Sequence, residues 1–229
     1  MRNSPDALMI FAAGFGTRMG ALTADKPKPM IAVAGKPLID HALALTAPLA
    51  LREIVVNLHY FPHILEDHLA WSGVTTLVEL PEVLETGGGL RNALPLLGSD
   101  PVFTLNSDAV WSGPNPLQAL GKAWDPSKMD ALLMCVPPKF ALGHKGKGDF
   151  LLSDNGQASR GAGLVYSGAQ IIKTELLYDI PEAAFSLNKL WDTFLDRGTL
   201  FGLPYEGRWC DVGSPEGITL AERMLADAV

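Results

Sequence analysis

Short apolar runs alternate with helix-like stretches in the chain up to residue 136. The pattern predicts strands at residues 8–13, 53–58, 75–80, 102–105 and 131–136, separated by helices at residues 37–49, 61–71, 89–97 and 116–124. Apolar runs of this length alternating with amphipathic helices are typical of a parallel sheet with helices on both faces. We therefore predict an α/β fold with a mixed, mostly parallel sheet.

The pattern changes after residue 137. Short strands are predicted at 150–152, 163–166 and 200–204, with helices at 187–195 and 215–228. No internal repeat and no linker rich in glycine or serine divides the chain. We therefore predict a single domain over residues 1–229, with two halves that meet near residue 137.

The composition excludes several classes of protein. Hydrophobic residues make up 48% of the chain and charged residues 19%, which favours a packed core over disorder. A net charge of −7 disfavours the nucleic-acid backbone as a partner. We find no targeting segment and no apolar run long enough for a membrane span. Cys135 and Cys210 form no disulfide framework, so we expect a cytoplasmic monomer or small homo-oligomer without a membrane partner.

A glycine-rich loop, AAGFGTRM at residues 12–19, follows the first predicted strand. Ligands of open α/β sheets bind beyond the carboxyl ends of the strands. Glycines let backbone N–H groups approach a phosphate closely, and Arg18 adds a cationic fork. The loop matches neither a P-loop nor the dinucleotide fingerprint. An ordinary tight turn is the alternative interpretation.

Two lysines stand among prolines in the next segment, DKPKPM at residues 25–30. Because proline restricts the backbone, this loop is expected to be stiff. A stiff loop can hold the ammonium group of Lys28, or of Lys26, against a phosphate at a small ordering cost. A solvated basic turn is the alternative.

These segments, followed by GKPLIDH at residues 35–41, resemble the start of the sugar-1-phosphate nucleotidylyltransferases. The resemblance implies a Rossmann-like fold of the nucleotide-diphospho-sugar transferase type, with the nucleotide in the half up to residue 136. It also implies that the glycine-rich loop wraps the triphosphate of an NTP, and that Arg18 and Lys28 stabilise its charge. The implied nucleotide-binding residues in this part of the chain are Ala12, Ala13, Gly14, Gly16, Thr17, Arg18 and Lys28.

A second glycine cluster, ETGGGLR at residues 85–91, lies at the start of a predicted helix. In the family that the chain resembles, a glycine-rich turn at this place packs against base and ribose. Thr86, Gly87 and Gly88 are therefore candidates for nucleotide binding, and Glu79 is a candidate for facing the base. A flexible start of the helix is the alternative.

Two aspartates are candidate metal ligands. Asp108 ends an apolar strand in the triplet NSD, and Asp211 lies in WCDVGSP at residues 209–215, which resembles the family segment Trp-x-Asp-Val-Gly-Thr-Pro. Magnesium takes hard oxygen ligands, usually one or two carboxylates together with phosphates. The resemblance implies a Mg²⁺ cofactor held by Asp108 and Asp211, with Asp108 also among the nucleotide-binding residues. It further implies an in-line displacement in which Arg18, Lys28, Asp108 and Asp211 are catalytic.

The segments at 84–97 and 185–192 resemble the short bacterial N-acetylmuramate-1-phosphate uridylyltransferases. This implies UTP and N-acetylmuramate 1-phosphate as substrates in cell-wall sugar recycling, without a C-terminal β-helix. A mannose-1-phosphate guanylyltransferase is the main alternative. The glucose-1-phosphate thymidylyltransferases are disfavoured because residues 153–160 lack a Glu-Lys-Pro segment. A cytidylyltransferase and a catalytically silent nucleotide-binding module remain rivals.

The sugar pocket is expected in the second half of the chain. Its candidates are Asp149, Gly163, Glu182 and Asn188. The loop GHKGKGD at residues 143–149 either folds over a ligand or is simply mobile.

Overall fold

The predicted alternation of strands and helices is present in the computed structural model, which describes residues 3–98 and 101–227. The strands in this part of the chain are β1 (Ala7–Phe11), β2 (Ala32–Val33), β3 (Lys36–Pro37), β4 (Glu53–Leu58), β5 (Thr75–Val78), β6 (Val102–Asn106), β7 (Ala109–Ser112), β8 (Ala131–Val136), β9 (Ala141–Leu142), β10 (Phe150–Leu152), β11 (Ala158–Arg160), β12 (Val165–Ile172), β13 (Leu200–Pro204) and β14 (Arg208–Asp211). The α-helices are α1 (Leu38–Ala44), α2 (Pro62–Leu69), α3 (Glu85–Leu97), α4 (Pro116–Ala123), α5 (Asn188–Arg197) and α6 (Pro215–Ala226).

Seven strands form the main sheet, in the order β13-β8-β12-β6-β1-β4-β5. Neighbours are parallel except around β12, which runs antiparallel to both β6 and β8. The prediction of a mixed, mostly parallel sheet is confirmed. The carboxyl ends of β1, β4 and β6 lie side by side at one edge, where open α/β sheets bind their ligands.

Helices cover both faces of this sheet, as predicted. Successive side chains of β1 point to opposite faces, so that Leu8 and Ile10 belong to one buried cluster and Met9 belongs to another. Helices α1, α2 and α4 contribute to the first cluster, and α3 and α5 to the second. Burial of β1 on both faces explains its continuous apolar sequence.

A smaller sheet lies beyond the carboxyl edge of the main sheet. Its order is β7-β14-β9, with β14 antiparallel to β7 and parallel to β9. Cys210 of β14, Val110 of β7 and Ala221 of α6 share a third buried cluster. This packing places β14 in space beside the segment that follows β6, although the two strands are distant in sequence.

The helix at the second glycine cluster begins earlier than the predicted start at residue 89. Helix α3 begins at Glu85 and contains all three glycines. A Cβ at Gly87 would overlap the ring of Phe185, and a Cβ at Gly88 would overlap the carbonyl oxygen of Ala183. Glycine is required here because the helix packs against the segment before α5, and this tertiary contact outweighs the weak helix propensity of glycine.

Several predicted bounds also change. The strand predicted at 163–166 extends over β12 to Ile172, and the helix predicted at 37–49 ends at Ala44. Residue 228 of the helix predicted at 215–228 lies outside the described residues. Both cysteines are buried and free, and burial raises the pKa of each thiol to about 12. In the described residues, no helix is both long enough and apolar enough to cross a membrane.

We expect Gly88→Ala to lower the free energy of unfolding by about 1–3 kcal/mol, because the new Cβ has no space against the backbone at Ala183. The matched control is Gly121→Ala in α4, where the nearest atom of Phe103 would lie 3.7 Å from the new Cβ. That change is expected to stabilise the protein by about 0.5–1 kcal/mol. Urea unfolding of the two variants measures the difference, and equal stability would contradict the packing argument.

Candidate active site

A cavity of about 310 Å³ opens at the carboxyl edge of the main sheet, among the ends of β1, β4 and β6 and the start of α3. It is lined by most of the residues that the sequence predicts to bind the nucleotide, namely Ala12, Ala13, Gly14, Gly16, Thr17, Arg18, Lys28, Thr86 and Asp108. Residues from four separate segments of the chain therefore meet at one place.

The glycine-rich loop packs closely against the lysine segment. Gly16 has a φ of 64°, and a Cβ at this position would lie 2.8 Å from the Cβ of Lys28. A side chain at residue 16 would therefore be strained and would also collide with the lysine stem. Gly16 allows the loop to lie over Lys28, whereas Lys26 is only partly buried and does not line the cavity.

The ammonium group of Lys28 contacts Asp108. Lys28 is 8% exposed, and its Nζ lies 2.7 Å from Oδ2 of Asp108. Burial makes an unpaired ammonium group costly, so this ion pair offsets part of that cost and orients the lysine. A cation and a carboxylate are thus placed together at the floor of a glycine-lined cavity.

Asp211 reaches the same region through the smaller sheet. Asp211 pairs with Ala109 in the β7–β14 ladder, and the N–H of Val212 donates to the carbonyl of Asp108 at 2.9 Å. Asp211 lines an adjoining cavity of about 350 Å³, which shares Arg18 and Gly213 with the first. The two predicted metal-ligand carboxylates are therefore neighbours in space.

The environment of Asp211 disfavours its negative charge. Burial raises the pKa of its carboxyl group, and the charge of Asp108 raises it further, whereas Lys28, Arg18 and His144 lower it. Gly213 lies against both groups, since a Cβ there would be 2.9 Å from Oδ2 of Asp211 and 3.0 Å from the Arg18 guanidinium nitrogens. Two carboxylates that repel each other beside open space are a suitable donor set for a divalent cation.

We expect Asp211→Asn to raise the melting temperature of the protein in EDTA. The substitution removes a carboxyl group whose pKa is raised in the folded state and whose ionised form therefore destabilises the fold. The carboxyl group costs stability only where it is ionised. The gain of the variant should therefore be largest near pH 7 and should disappear as the pH falls below the unfolded value of about 3.9, where both chains are neutral at this position. Scanning calorimetry between pH 3.5 and 7 tests this, and a gain that grows toward low pH would contradict it.

Glu79 lies behind the cavity and does not line it. The residue is 1% exposed; its Oε1 accepts from Nδ2 of Asn57 at 2.7 Å, and its Oε2 accepts from the N–H of Leu84 at 2.8 Å. Asn57 Oδ1 in turn accepts from the N–H of Ala12 at 2.8 Å. In this position Glu79 fixes Asn57, which lines the cavity and holds the start of the glycine-rich loop.

Gly87 and Gly88 also do not line the cavity. Their N–H groups donate to the carbonyl of Phe185, at 2.8 and 3.1 Å, and are therefore not directed at a ligand. Thr86, which precedes them, lines the cavity, and its Oγ1 accepts from the N–H of Leu187 at 3.0 Å. The glycines bring α3 against the segment before α5, and Thr86 is the member of this cluster placed at the site.

A second cavity, of about 280 Å³, adjoins the first and shares Phe11, Thr86 and Asn106 with it. Two of the four predicted sugar-binding residues, Asp149 and Asn188, line it. Asp149 is held in place by the N–H of Tyr166, which donates to Oδ2 at 2.8 Å.

The other two predicted sugar-binding residues lie elsewhere. Gly163 packs against Phe150, whose carbonyl oxygen a Cβ there would overlap, and Glu182 pairs with Lys189 at the surface. Neither lines the second cavity.

Sequence reasoning missed two asparagines of the site. Asn57 and Asn106 lie near the carboxyl ends of β4 and β6, and both line the first cavity. Gly168, with a φ of 84°, leaves room for Asn106, because a Cβ there would lie 2.7 Å from its amide. Their position at the ends of apolar runs was a signal that could have identified both asparagines as candidates. Arg160, Tyr166 and Trp191 of the second cavity carried no such signal.

Comparison with known proteins agrees with this geometry. Residues 8–154 match the model of the MobA-like NTP transferase domain. The chain is 40% identical to N-acetylmuramate alpha-1-phosphate uridylyltransferase of Caulobacter vibrioides, with all of both chains covered. It is 34% identical to the protein of the same name from Neisseria meningitidis, over 90% of this chain and 92% of that one.

Among solved structures, HddC of Yersinia pseudotuberculosis in complex with GMP-PN superposes with a TM-score of 0.75 at 22% identity, covering 96% of this chain and 99% of that one. This likeness concerns the fold alone. The family match, the relatives and the site together show that the chain belongs to the MobA-like NTP transferases and, among them, to the sugar-1-phosphate nucleotidylyltransferases.

Proposed function

We propose that the protein couples UTP to N-acetylmuramate 1-phosphate, giving the UDP-sugar and pyrophosphate, in the cytoplasm and in the recycling of cell-wall sugars. One observation carries the reaction type: a cation-lined cavity beside a glycine-rich loop is joined, through Phe11, Thr86 and Asn106, to a second cavity lined by polar and aromatic side chains. The choice of UTP and N-acetylmuramate 1-phosphate follows the names of the relatives from Caulobacter vibrioides and Neisseria meningitidis.

In this proposal the first cavity holds the nucleotide. The glycine-rich loop from Gly14 to Arg18 presents backbone N–H groups and one guanidinium to the triphosphate. Thr86 and Asn106 stand between the two cavities and contact the nucleotide, the sugar or both. The first half of the chain thus supplies most nucleotide contacts, and the second half supplies most sugar contacts.

We propose Mg²⁺ as the cofactor, held by Asp108 and Asp211. The donor set fits, because both groups are carboxylates, the charge of Asp108 raises the pKa of Asp211, and both groups adjoin the cavity assigned to the phosphates. When bound, the ion would neutralise phosphate charge and orient the two phosphate groups. In the described residues, no third His, Cys, Asp or Glu completes a metal cluster, which suits a magnesium site that takes its remaining ligands from substrate and water.

The chemistry is an in-line displacement at phosphorus. A phosphate oxygen of the sugar 1-phosphate bonds to the α-phosphorus, and the bond from that phosphorus to the bridging oxygen of the β-phosphate breaks. Pyrophosphate leaves with the electron pair. The attacking phosphate oxygen is already ionised at neutral pH, so the protein need not supply a strong general base. Lys28 and Arg18 stabilise the charge that develops, and the two cavities align the reacting groups.

The test is pyrophosphate release with magnesium, for ATP, GTP, CTP, UTP and dTTP crossed with the 1-phosphates of N-acetylmuramate, N-acetylglucosamine, mannose and glucose. We expect the highest rate with UTP and N-acetylmuramate 1-phosphate. A preference for GTP with mannose 1-phosphate, for dTTP with glucose 1-phosphate, or for CTP with any sugar would overturn the choice of substrates. Binding of an NTP without any pyrophosphate release would favour a silent binding module.

A further inference from the structure

The second cavity contains one cationic side chain among its described lining residues, that of Arg160. The acidic residue of the lining, Asp149, already accepts a hydrogen bond from the N–H of Tyr166. Lys28 and Arg18 line the first cavity and not this one. A negatively charged group on the sugar, other than its phosphate, would therefore find a single cationic partner in the second cavity.

The guanidinium of Arg160 is held at the wall of this cavity. Its Cζ lies 5.0 Å from the ring centre of Phe150 and 5.9 Å from that of Trp191, distances that suit cation–π contacts. Its Nη2 donates to Oδ1 of Asn188 and to Oδ1 of Asp192, both at 2.8 Å. These contacts restrict a side chain that is otherwise flexible and 42% exposed, so that little ordering remains to be done when a ligand binds.

Most donors of Arg160 are still available. A guanidinium carries five N–H groups, and the two contacts above occupy only Nη2. Within the described part of the chain, Nε and Nη1 of Arg160 donate no hydrogen bond. An anchored guanidinium with free N–H groups at the wall of a cavity is suited to bind a carboxylate by charge-assisted hydrogen bonds.

The proposed substrate carries such a group. N-acetylmuramate is N-acetylglucosamine with a lactyl ether, and this ether ends in a carboxylate. The two sugars are otherwise alike, so an enzyme that prefers the acidic one must recognise the lactyl group. Apolar contacts to a small substituent discriminate weakly, whereas a charged partner discriminates more strongly.

We propose that Arg160 binds the carboxylate of the sugar and thereby selects N-acetylmuramate 1-phosphate over N-acetylglucosamine 1-phosphate. This inference rests on the proposed function and adds the residue that sets the choice of sugar. Asn188 and Asp192 act as positioning residues that hold Nη2, and the rings of Phe150 and Trp191 support the guanidinium. Asp149 is left to accept hydrogen bonds from neutral hydroxyl or amide groups of the same sugar.

The test compares wild type with Arg160→Gln, using UTP and each of the two sugar 1-phosphates. The readout is the ratio of kcat/KM for the N-acetylmuramate substrate to that for the N-acetylglucosamine substrate. We expect this ratio to fall about 10- to 100-fold in the variant, the range for one hydrogen-bonded contact to a charged group. The control Arg197→Gln changes an exposed arginine at the end of α5, and it should leave the ratio unchanged.

Binding of the product gives a second readout that does not depend on turnover. In calorimetric titrations, Arg160→Gln should lose affinity for UDP-N-acetylmuramate about 10- to 100-fold more than for UDP-N-acetylglucosamine. Circular dichroism melting of the variant shows whether it is folded at the assay temperature. Should Arg160→Gln not fold, Arg160→Lys, which keeps the charge but loses the fork, is expected to lower the same ratios by about tenfold.

The outcomes separate this inference from the proposed function. If wild type uses UTP and N-acetylmuramate 1-phosphate and the variant keeps the same ratio of kcat/KM values, Arg160 does not bind the carboxylate, while the proposed function stands. If kcat/KM of the variant falls equally for both sugar 1-phosphates, Arg160 contacts a group that they share, such as the 1-phosphate, and the inference is wrong. If wild type shows no preference for the acidic sugar, the proposed substrate and this inference both fail.

Discussion

Replacing Asp108 by asparagine is expected to lower kcat at least about 10³-fold at ordinary magnesium concentrations. Asp108 lies at the junction of the groups that would handle phosphate charge: Lys28 Nζ contacts its Oδ2 at 2.7 Å, and its charge acts on Asp211. A neutral amide is a weaker ligand for a hard cation than a carboxylate. The loss should therefore appear in turnover and in the magnesium dependence, because a much higher magnesium concentration is needed for any residual activity.

The fold should tolerate this substitution. The amide oxygen of an asparagine can still accept from Lys28, and the carbonyl that pairs with the N–H of Val212 belongs to the backbone. The matched control is Asp125→Asn in the turn before β8, where Oδ1 accepts from Ser127 and no cavity of the site is nearby. We expect this control to retain full activity. A fully active, folded Asp108→Asn protein would contradict the metal assignment.

The main sheet could be predicted because its strands are buried on both faces. A strand of this kind is continuously apolar and can be recognised in the sequence alone, and the predicted bounds of β4, β8 and β13 agree with the structure. Strands β7 and β14 were missed, since each is a short stretch that pairs with a strand distant in sequence. The pairing energy that makes them strands is tertiary and leaves no local pattern.

The residues of the candidate site were likewise predicted only in part. Arg18, Lys28 and Asp108 stand in motifs whose residue types suit phosphate chemistry, and they meet at the first cavity. Glu79 was predicted to face a base, but it does not line the cavity, because the period of a strand does not tell whether the residue after the strand is exposed or buried. It is buried against Asn57, which stands in no motif and was missed.

The sugar pocket was the least predictable part. Its walls come from the β10–β11 hairpin, β12 and the start of α5, which are brought together only by packing. Arg160 lies at the end of β11, where neither periodicity nor spacing marks it. Its importance depends on its two aromatic supports and on the joining of two cavities, and these are properties of the folded chain.

Replacing Lys28 by methionine should have two effects of opposite sign. Methionine keeps an apolar stem of similar length against Gly16 but removes the ammonium group that contacts Asp108. Loss of a cation that stabilises developing phosphate charge is expected to lower kcat about 10²- to 10³-fold. The same change removes the cation that pairs with Asp108, so the affinity of the nucleotide-free protein for a divalent cation should rise about three- to tenfold.

This pair of effects distinguishes the assigned roles from simple damage to the site. Manganese binding followed by electron paramagnetic resonance measures the affinity, and single-turnover pyrophosphate release measures the chemical step. If the substitution merely distorts the site, both kcat and cation affinity should fall. If Lys28 only holds Asp108 in place, its replacement should likewise lower cation affinity together with kcat. Lys26→Met is the matched control, since Lys26 lies two residues away without lining the cavity. Its kcat and cation affinity should stay within about threefold of wild type, because a partly exposed charge outside the cavity is screened by water and salt.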